Sequence, residues 1–238
     1  MQHHRVFAQR CCINQSNLAL QGGGVCTNYE SATLDDSSTF TEFPRPTFDY
    51  PRSVYKDYAA PIFRMGEGTR STDRATFGLV PRKHIPPGVK VFDTMNARAE
   101  TVGEKRSFST CWRNGQLCLI PASSFYEPNY ETGKAVRWRI KLASGEPFSI
   151  AGLWRAWNDS LSFTMLTLNA DSHPLLRRFH KPGSEKRGIV ILRREYYDDW
   201  LTCREPEVAR TFLSLLPADE LVAGPAPLPT RKNVGDAK

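Results

Sequence analysis

Short apolar segments rich in β-branched and aromatic residues recur between residues 61 and 192. Each segment is bounded by turn-forming or charged residues, which is typical of β-strands. The six segments are PIFRM (61–65), ATFGLV (75–80), LCLIP (117–121), FSIAGLW (148–154), LSFTMLTL (161–168) and GIVIL (188–192). We therefore predict an α+β fold with a mixed, mainly antiparallel, barrel-like β-core and a few peripheral helices.

The segment Val136–Lys141 (VRWRIK) shows the clearest alternation in the chain. Side chains alternate between the two faces of a strand, so one face of this segment is apolar and the other carries three cations. We expect the apolar face to pack inward. The basic face is suited to contact with phosphates.

Helical patterns are fewer and shorter. They predict helices at 100–112, 195–202 and 206–216, and a short turn that opens at Ser172. Residues 40–58 are rich in Pro and aromatic side chains, which predicts an ordered but irregular segment over the core.

The domain organisation is predicted from length and from the ends of the chain. A chain of 238 residues is long enough for one substantial core and short for two. Residues 1–25 show neither helical nor strand periodicity, and we interpret them as a leader outside the mature domain. Residues 26–238 are expected to form a single domain, with an extended tail from residue 224.

Charge and composition limit the function classes without selecting one. The chain has 32 Lys and Arg against 25 Asp and Glu, for a net charge of +7, which suits a polyanionic partner. The basic residues are dispersed, so a merely solvated basic surface explains them equally well. With 40% hydrophobic and 24% charged residues, general disorder is excluded.

The cysteines and apolar runs indicate a reducing compartment. None of the cysteines has the C-x-x-C spacing of a zinc or redox site, so we expect reduced thiols and no metal or organic cofactor. No apolar run is long enough for a signal-peptide core or a membrane span. We predict a cytoplasmic monomer without a membrane partner, and burial rather than function for Cys118 and Cys203.

Three polar motifs stand out, although each has a plain structural explanation. Asn96 in NARAE is consistent with a helix start, Glu127 in PASSFYEP with a turn cap, and His180 in LRRFHKPGSEKR with a surface histidine. None of the three identifies a function by itself.

The order of the motifs carries more information than any one of them. That order is CTNY (26–29), FGLVP (77–81), NARAET (96–101), CLIPASSFYE (118–127), FSIAGLW (148–154) and MLTLNA (165–170), with His180 after them. Over about residues 26–200 the chain resembles the SOS response-associated peptidase (SRAP) domain. The NARAET and CLIPASSFYE blocks are the most specific part of this resemblance.

The resemblance implies a DNA damage function that depends on Cys26. In the family, an N-terminal cysteine reacts with an abasic site in single-stranded DNA and forms a stable thiazolidine. The α-amine condenses with the sugar aldehyde, and the thiolate then closes a five-membered ring. Both groups are mostly protonated at neutral pH, because an α-amine titrates near about 7.7–8.0 and a thiol near about 8.5. A neighbouring base is therefore required.

The resemblance also assigns the groups around Cys26. Glu127 is implied as the proton-transfer group at the amine, and His180 as the residue that assists sugar ring opening. Asn96 is implied to position the sugar or the N-terminal backbone. The resemblance also implies a peptidase activity limited to autoprocessing and a lyase activity on the abasic site.

The implied DNA-binding residues are Arg98, Asn28 and Arg187, and Arg98 is suited to a flanking phosphate. Six residues, KPGSEK, separate His180 from Arg187, where the common family pattern is shorter. His173 therefore remains an alternative to His180. We expect association with the nucleoid when DNA is bound.

Val25 precedes Cys26 in this sequence, whereas the implied chemistry needs a free α-amine. One hypothesis is that translation begins at codon 25, because valine can be encoded by the bacterial start codon GTG. The other is self-cleavage, in which Cys26 attacks the preceding carbonyl and Glu127 or His180 moves the proton.

Two other function classes stay open. An N-terminal-nucleophile peptidase would use Cys26 without DNA. A non-catalytic nucleic-acid-binding module is favoured by departures from the family pattern, with Asn28 where Arg is usual and Pro128 where Trp is frequent. Retention of all four catalytic candidates opposes the second reading.

Overall fold

The computed structural model describes Cys26, residues 28–33 and residues 39–228. The leader interpreted at 1–25 and the chain from 229 to 238 lie outside these described residues. Within the described part, β-strands predominate over helices.

The strands follow one another from Asn28 to Pro225. They are β1 Asn28–Ser31, β2 Ser53–Tyr55, β3 Ala59–Gly66, β4 Thr69–Phe77, β5 Asn96–Arg98, β6 Leu117–Asn129, β7 Val136–Leu142, β8 Phe148–Ala156, β9 Leu161–Asn169, β10 Arg187–Ile189, β11 Ile191–Leu192 and β12 Leu221–Pro225. The helices are α1 Ser109–Arg113, α2 Tyr197–Thr202 and α3 Pro206–Thr211. Most pairs are antiparallel, while β4 and β5 run parallel to β9, so the predicted fold class is confirmed.

The strand pairings return on themselves and close a ring. From β6 they pass through β3, β4, β9 and β8, and β8 then pairs with β6. A sheet that closes on itself has no unpaired edge strand within the ring. This ring is the barrel-like core that the alternating segments predicted.

Strand β6 carries the connection between the ring and the functional residues. Its first half, Leu117–Ala122, pairs with β8. Its second half, Phe125–Asn129, pairs with β7. On the other side, β1 pairs antiparallel with the same second half, with Asn28 opposite Tyr126. The chain just after Cys26 is therefore held against the segment that contains Glu127.

Two apolar clusters cover the two faces of the sheet. Consecutive residues of β6 belong to different clusters, Leu119 with Trp200 and Ile120 with Phe77 and Phe163. The Phe77 and Phe163 rings stack with their centroids 5.2 Å apart. Because each large apolar side chain contributes about 1.5–3 kcal/mol on full burial, both clusters stabilise the ring.

The predicted helix at 100–112 is mostly wrong, because only Ser109–Arg113 is α-helical. Residues before it form turns with i to i+3 bonds, such as Glu104 N to Thr101 O at 3.0 Å. Gly103 lies among these turns, and glycine lowers the stability of a helix interior by about 1 kcal/mol relative to alanine.

The predicted helix at 206–216 is shorter than expected and ends at Thr211. Leu216 precedes Pro217, and proline disfavours α-helical backbone angles at the residue before it. The helix therefore does not extend to Leu216. Within 40–58 the chain is irregular up to β2, as predicted, and Phe43 stacks on Phe63 with ring centroids 4.1 Å apart. The tail is partly paired, since β12 lies antiparallel to β7.

Candidate active site

Cys26 and Glu127 meet at the end of β1. The backbone nitrogen of Cys26 donates a hydrogen bond of 2.9 Å to Glu127 Oε1. Cys26 has no exposed surface and Glu127 is 2% exposed, so the contact is shielded from water. The register of β1 on β6 creates this contact.

Burial controls the protonation of both groups. It raises the pKa of Glu127 to about 8, and the hydrogen bond from Cys26 N acts in the opposite direction. Burial also raises the pKa of the Cys26 thiol, and the nearby Glu127 charge adds to this effect. A carboxyl group that titrates near neutral pH can both accept and donate a proton in a reaction.

Asn96 holds the other end of Cys26. Its Nδ2 donates to the Cys26 carbonyl oxygen at 3.3 Å. Asn96 opens β5, which is fixed in parallel register on β9, with Asn96 opposite Met165. Glu127 and Asn96 therefore anchor the nitrogen and the carbonyl of the same residue.

His180 completes the cluster around Glu127. Its Nδ1 lies 3.7 Å from Glu127 Oε2, and the ring is 8% exposed. Its Nε2 lies 2.9 Å from the carbonyl oxygen of Arg187. A carbonyl only accepts hydrogen bonds, so Nε2 carries the proton and the neutral ring presents its Nδ1 lone pair to Glu127.

The pKa of His180 is lowered, mainly because burial disfavours the imidazolium, while its hydrogen bond to the Arg187 carbonyl opposes this. The neutral imidazole and the carboxyl group of Glu127, whose pKa is raised, lie side by side at 3.7 Å, just beyond hydrogen-bond distance. The Oε2 atom of Glu127 has no hydrogen-bond partner among the described residues, which leaves it available for proton transfer.

The backbone of His180 is strained. Its φ of 67° lies in the left-handed region, which costs a non-glycine residue about 1–3 kcal/mol. Its backbone nitrogen donates to Pro128 O at 2.9 Å, which ties the residue to β6 next to Glu127. The strain is thus compensated by a contact that fixes the imidazole beside the carboxylate.

A protein-family model matches most of the chain. The model of the SOS response associated peptidase (SRAP) family matches residues 26–228. The chain belongs to the SRAP family. The resemblance inferred from the motifs is confirmed, and the matched range includes Cys26, Asn96, Glu127 and His180.

Two relatives illustrate the family. The SRAP chain is 33% identical over 149 residues to the abasic site processing protein YobE of Bacillus subtilis, which covers 58% of this chain and 65% of that protein. It is 40% identical over 63 residues to the abasic site processing protein HMCES of Rattus norvegicus, or 24% of this chain and 18% of that protein. The alignment thus spans less than two thirds of the length of YobE.

A crystal structure supports the fold. A protein from Bordetella bronchiseptica superposes with a TM-score of 0.75 at 34% identity, covering 85% of this chain and all of that chain (100%). The SRAP chain therefore shares its overall fold with a solved structure of related sequence.

Of the predicted DNA-binding residues, Arg98 is the most exposed. Its side chain is 59% exposed, and its Nη1 lies 2.7 Å from Glu185 Oε2. Asn28 is only 4% exposed. Its Oδ1 accepts a 3.4 Å hydrogen bond from Arg137, and its carbonyl lies 3.5 Å from Cys26 Sγ. Asn28 therefore lies beneath the surface next to Cys26.

Arg187 occupies a different environment from the one expected of a DNA contact. Its side chain is 3% exposed and forms ion pairs of 2.8 Å with both Glu100 and Glu185. It also donates to Thr167 O at 2.7 Å. These contacts favour a positioning role for Arg187, with Glu100 as one of its two carboxylate partners.

The two candidate histidines differ in their contacts. The ring of His173 is engaged on both sides, because Nε2 lies 2.8 Å from Leu216 O and Nδ1 accepts from the backbone nitrogens of Leu175 and Leu176. No described contact joins it to Glu127. The structure brings His180, and not His173, next to the carboxylate.

Sequence reasoning named Arg137 only as one cation on the basic face of the VRWRIK strand, and it missed Glu185. Arg137 stacks over the Tyr126 ring at 3.2 Å and reaches Asn28, so one cation of the VRWRIK strand lies near Cys26. Glu185 bridges Arg98 and Arg187. The six-residue segment before Arg187 was the available signal for Glu185.

Among the described residues, no helix is both long and apolar enough to cross a bilayer.

Proposed function

We propose that this protein captures abasic sites in single-stranded DNA as a covalent thiazolidine at Cys26, and that it acts in the DNA damage response in the cytoplasm. The hydrogen bond from the Cys26 nitrogen to the buried Glu127 carboxyl group carries the proposal. This contact supports a proton-transfer role for Glu127 at the atom that must act as the amine. The names of YobE and HMCES support abasic sites as the substrate class.

The proposed reaction joins an aminothiol to an aldehyde and releases one water. The Cys26 amine adds to C1′ of the ring-opened sugar, and loss of water gives an imine. The thiol then adds to the imine carbon, and its proton moves to the nitrogen as the C–S bond closes the five-membered ring. No oxidant, metal or organic cofactor enters this balance.

Glu127 and His180 supply the proton movements. Glu127 accepts a proton from the amine as nitrogen attacks, and it returns a proton to the departing hydroxyl of the carbinolamine. His180 lies 3.7 Å from Glu127, so it can relay that proton and assist opening of the sugar ring. General acid–base groups of this kind typically contribute about 10²- to 10⁴-fold in rate.

Asn96 and Arg98 are proposed to position the DNA. Asn96 holds the Cys26 carbonyl, and Arg98 lies two residues farther along β5. A groove of about 880 Å³ lined by Phe92, Arg106 and Arg155 offers further cations and an aromatic ring to a single strand. Val80, in the wall of this groove, donates to Thr94 Oγ1 at 2.9 Å, next to the start of β5.

The chemistry requires that the bond between residues 25 and 26 be absent. Initiation at codon 25 would provide this once the initiator methionine is hydrolysed from Cys26. Self-cleavage is the second candidate activity, and the position of Glu127 favours it, because the carboxyl group contacts the nitrogen that would leave. Cys26 Sγ would attack the preceding carbonyl and form a thioester, its proton would pass to the leaving nitrogen, and water would hydrolyse the thioester.

The decisive experiment incubates protein of verified mass with single-stranded DNA that contains one abasic site, followed by a denaturing gel. We expect a heat-stable shifted band from protein that begins at Cys26. A Cys26→Ala form with the same terminus should give only an imine that borohydride traps, since it keeps the amine and lacks the thiol. Cys203→Ala is the matched control and should react like the parent. Absence of a stable band from the parent protein would overturn the proposal.

Self-cleavage is tested by intact mass of the complete 238-residue chain. Loss of residues 1–25 in the parent chain, with retention in Cys26→Ala and Glu127→Gln, is the expected result. Loss of the same residues from Cys26→Ala would exclude Cys26 as the nucleophile.

A further inference from the structure

The most exposed of the predicted DNA-binding side chains already has an anionic partner. Arg98 Nη1 lies 2.7 Å from Glu185 Oε2, and no other carboxylate within the described residues forms an ion pair with Arg98. Glu185 is itself 31% exposed. The Arg98 guanidinium is therefore already paired with an anion in the protein without DNA.

Arg98 lies on the Cys26 side of β5. Residues two apart on a strand share a face, so the Arg98 side chain leaves β5 on the same face as Asn96, about 7 Å farther along. Asn96 contacts Cys26 through its amide. A DNA strand with its abasic sugar at Cys26 would thus bring a neighbouring phosphate towards Arg98.

Glu185 uses its second oxygen for another arginine. Its Oε1 lies 2.8 Å from Arg187 Nη1, and the Arg187 carbonyl accepts the hydrogen bond of His180 Nε2. Arg187 keeps Glu100 and Thr167 as further partners, so it does not depend on Glu185 alone. Glu185 can release Arg98 while Arg187 stays anchored.

We propose that Glu185 is a positioning residue that holds Arg98 in the free protein and competes with a DNA phosphate for it. The inference rests on the proposed DNA-binding function and adds a residue that sets its affinity. An exposed ion pair contributes little to stability, so a phosphate can displace the carboxylate. The competition lowers affinity for every strand and leaves tight retention to the covalent step.

The test measures equilibrium binding to intact single-stranded DNA, which has no aldehyde and so reports no covalent capture. Glu185→Gln should bind about two- to five-fold more tightly than the parent at low salt, because it removes the competing charge. The gain should shrink at high ionic strength, where exposed charges are screened. In an Arg98→Ala background, Glu185→Gln should give no gain.

Two controls separate competition from a general charge effect. Glu220→Gln removes the same charge from the exposed Arg193–Glu220 pair and should leave affinity unchanged. Glu185→Asp keeps the charge but is too short to reach both arginines. Glu185→Asp should give a smaller gain in DNA affinity, and this gain should also vanish in the Arg98→Ala background. It replaces Glu185→Gln as the test variant if Glu185→Gln does not fold.

The outcomes distinguish this inference from the proposed function. Equal affinity of the parent and both Glu185 variants would overturn the inference and leave the proposed function standing. Persistence of the gain in the Arg98→Ala background would also overturn it, since local charge alone would then explain the effect. Failure of every variant to bind single-stranded DNA would overturn the proposed function and this inference together.

Discussion

Glu127 Oε1 lies 2.9 Å from the backbone nitrogen of Cys26, although 101 residues separate the two in the chain. Antiparallel pairing of β1 with the end of β6 creates this contact, because Asn28 is placed opposite Tyr126. The site therefore depends on strand register over a long sequence separation, and not on a local motif. A register slip of one residue would turn Glu127 to the other face of the sheet.

Glu127→Gln is expected to slow covalent capture by about 10²- to 10⁴-fold while the fold is retained. The amide keeps the size of the side chain and can accept the hydrogen bond of the Cys26 nitrogen, but it cannot carry the proton. Single-turnover rates from denaturing gels measure the effect. Glu131→Gln, at an exposed carboxylate paired with Arg178, is the matched control. A loss below two-fold would show that another group moves the proton.

The raised pKa of Glu127 predicts a pH dependence of stability. In the folded chain with an intact bond before Cys26, this pKa is about 8 against an ordinary 4.5. The folded state therefore holds the proton more tightly than the unfolded state. The stabilising contribution is complete below pH 4.5 and is lost as the pH rises through 8. The slope should reach at most about 1.4 kcal/mol per pH unit.

Urea unfolding between about pH 5 and pH 9 measures this loss. The Cys26→Ala chain, which keeps the bond before residue 26, should lose stability relative to the same chain with Glu127→Gln. In protein that begins at Cys26, the α-ammonium next to Glu127 favours the carboxylate, so the loss should be smaller. Parallel pH profiles of the two Cys26→Ala chains would contradict the assigned pKa.

His180→Ala and His173→Ala are expected to fail in different ways. Removal of His180 takes away the partner of Glu127, and capture should slow by about 10²-fold or more. Removal of His173 takes away hydrogen bonds to Leu216 and to the backbone at Leu175 and Leu176, which should cost about 1–3 kcal/mol of stability. Capture rates and melting curves of both variants decide the assignment. Loss of capture only in His173→Ala would reverse it.

Arg98→Ala and Arg187→Ala form a second matched pair. Arg98→Ala should weaken binding to all single strands and lower the slope of log affinity against log salt by about one. Arg187→Ala should mainly destabilise the fold by about 2 kcal/mol, because it leaves Glu100 and Thr167 without their charged donor and Glu185 with Arg98 alone. Salt titrations and denaturant curves measure the two effects. An unchanged stability of Arg187→Ala would contradict its positioning role.

The scaffold could be predicted from the sequence because its signal is local. Alternation and β-branched residues identified the segments that became β4, β6, β8 and β9. The pattern underestimated β6, which continues from the predicted end at Pro121 to Asn129. Polar residues such as Ser123 and Ser124 interrupt the apolar pattern there, and pairing with β1 maintains the strand across them.

The site was predicted only in part, for physical reasons that particular residues illustrate. The motifs and their order proposed Cys26, Asn96, Glu127 and His180, but the contacts among them require register between distant strands. Arg187 was expected to contact DNA from the family resemblance, and no sequence signal indicated that it would be buried among carboxylates. Its two carboxylate partners lie 87 and 2 residues away in the chain, and only the fold brings all three together.

Glu127 lies on β6, the longest of the described strands, whereas His180 lies in the segment before β10. The two halves of the site therefore differ in how easily they can be changed. The carboxylate belongs to the framework, and its position relative to Cys26 is inherited with the ring of strands. The imidazole enters from a connection that can change length without breaking a strand pair. Residues 181–184 could therefore be exchanged to alter charge or reach at the imidazole side, while Glu185 and the Cys26–Glu127 pair are kept unchanged.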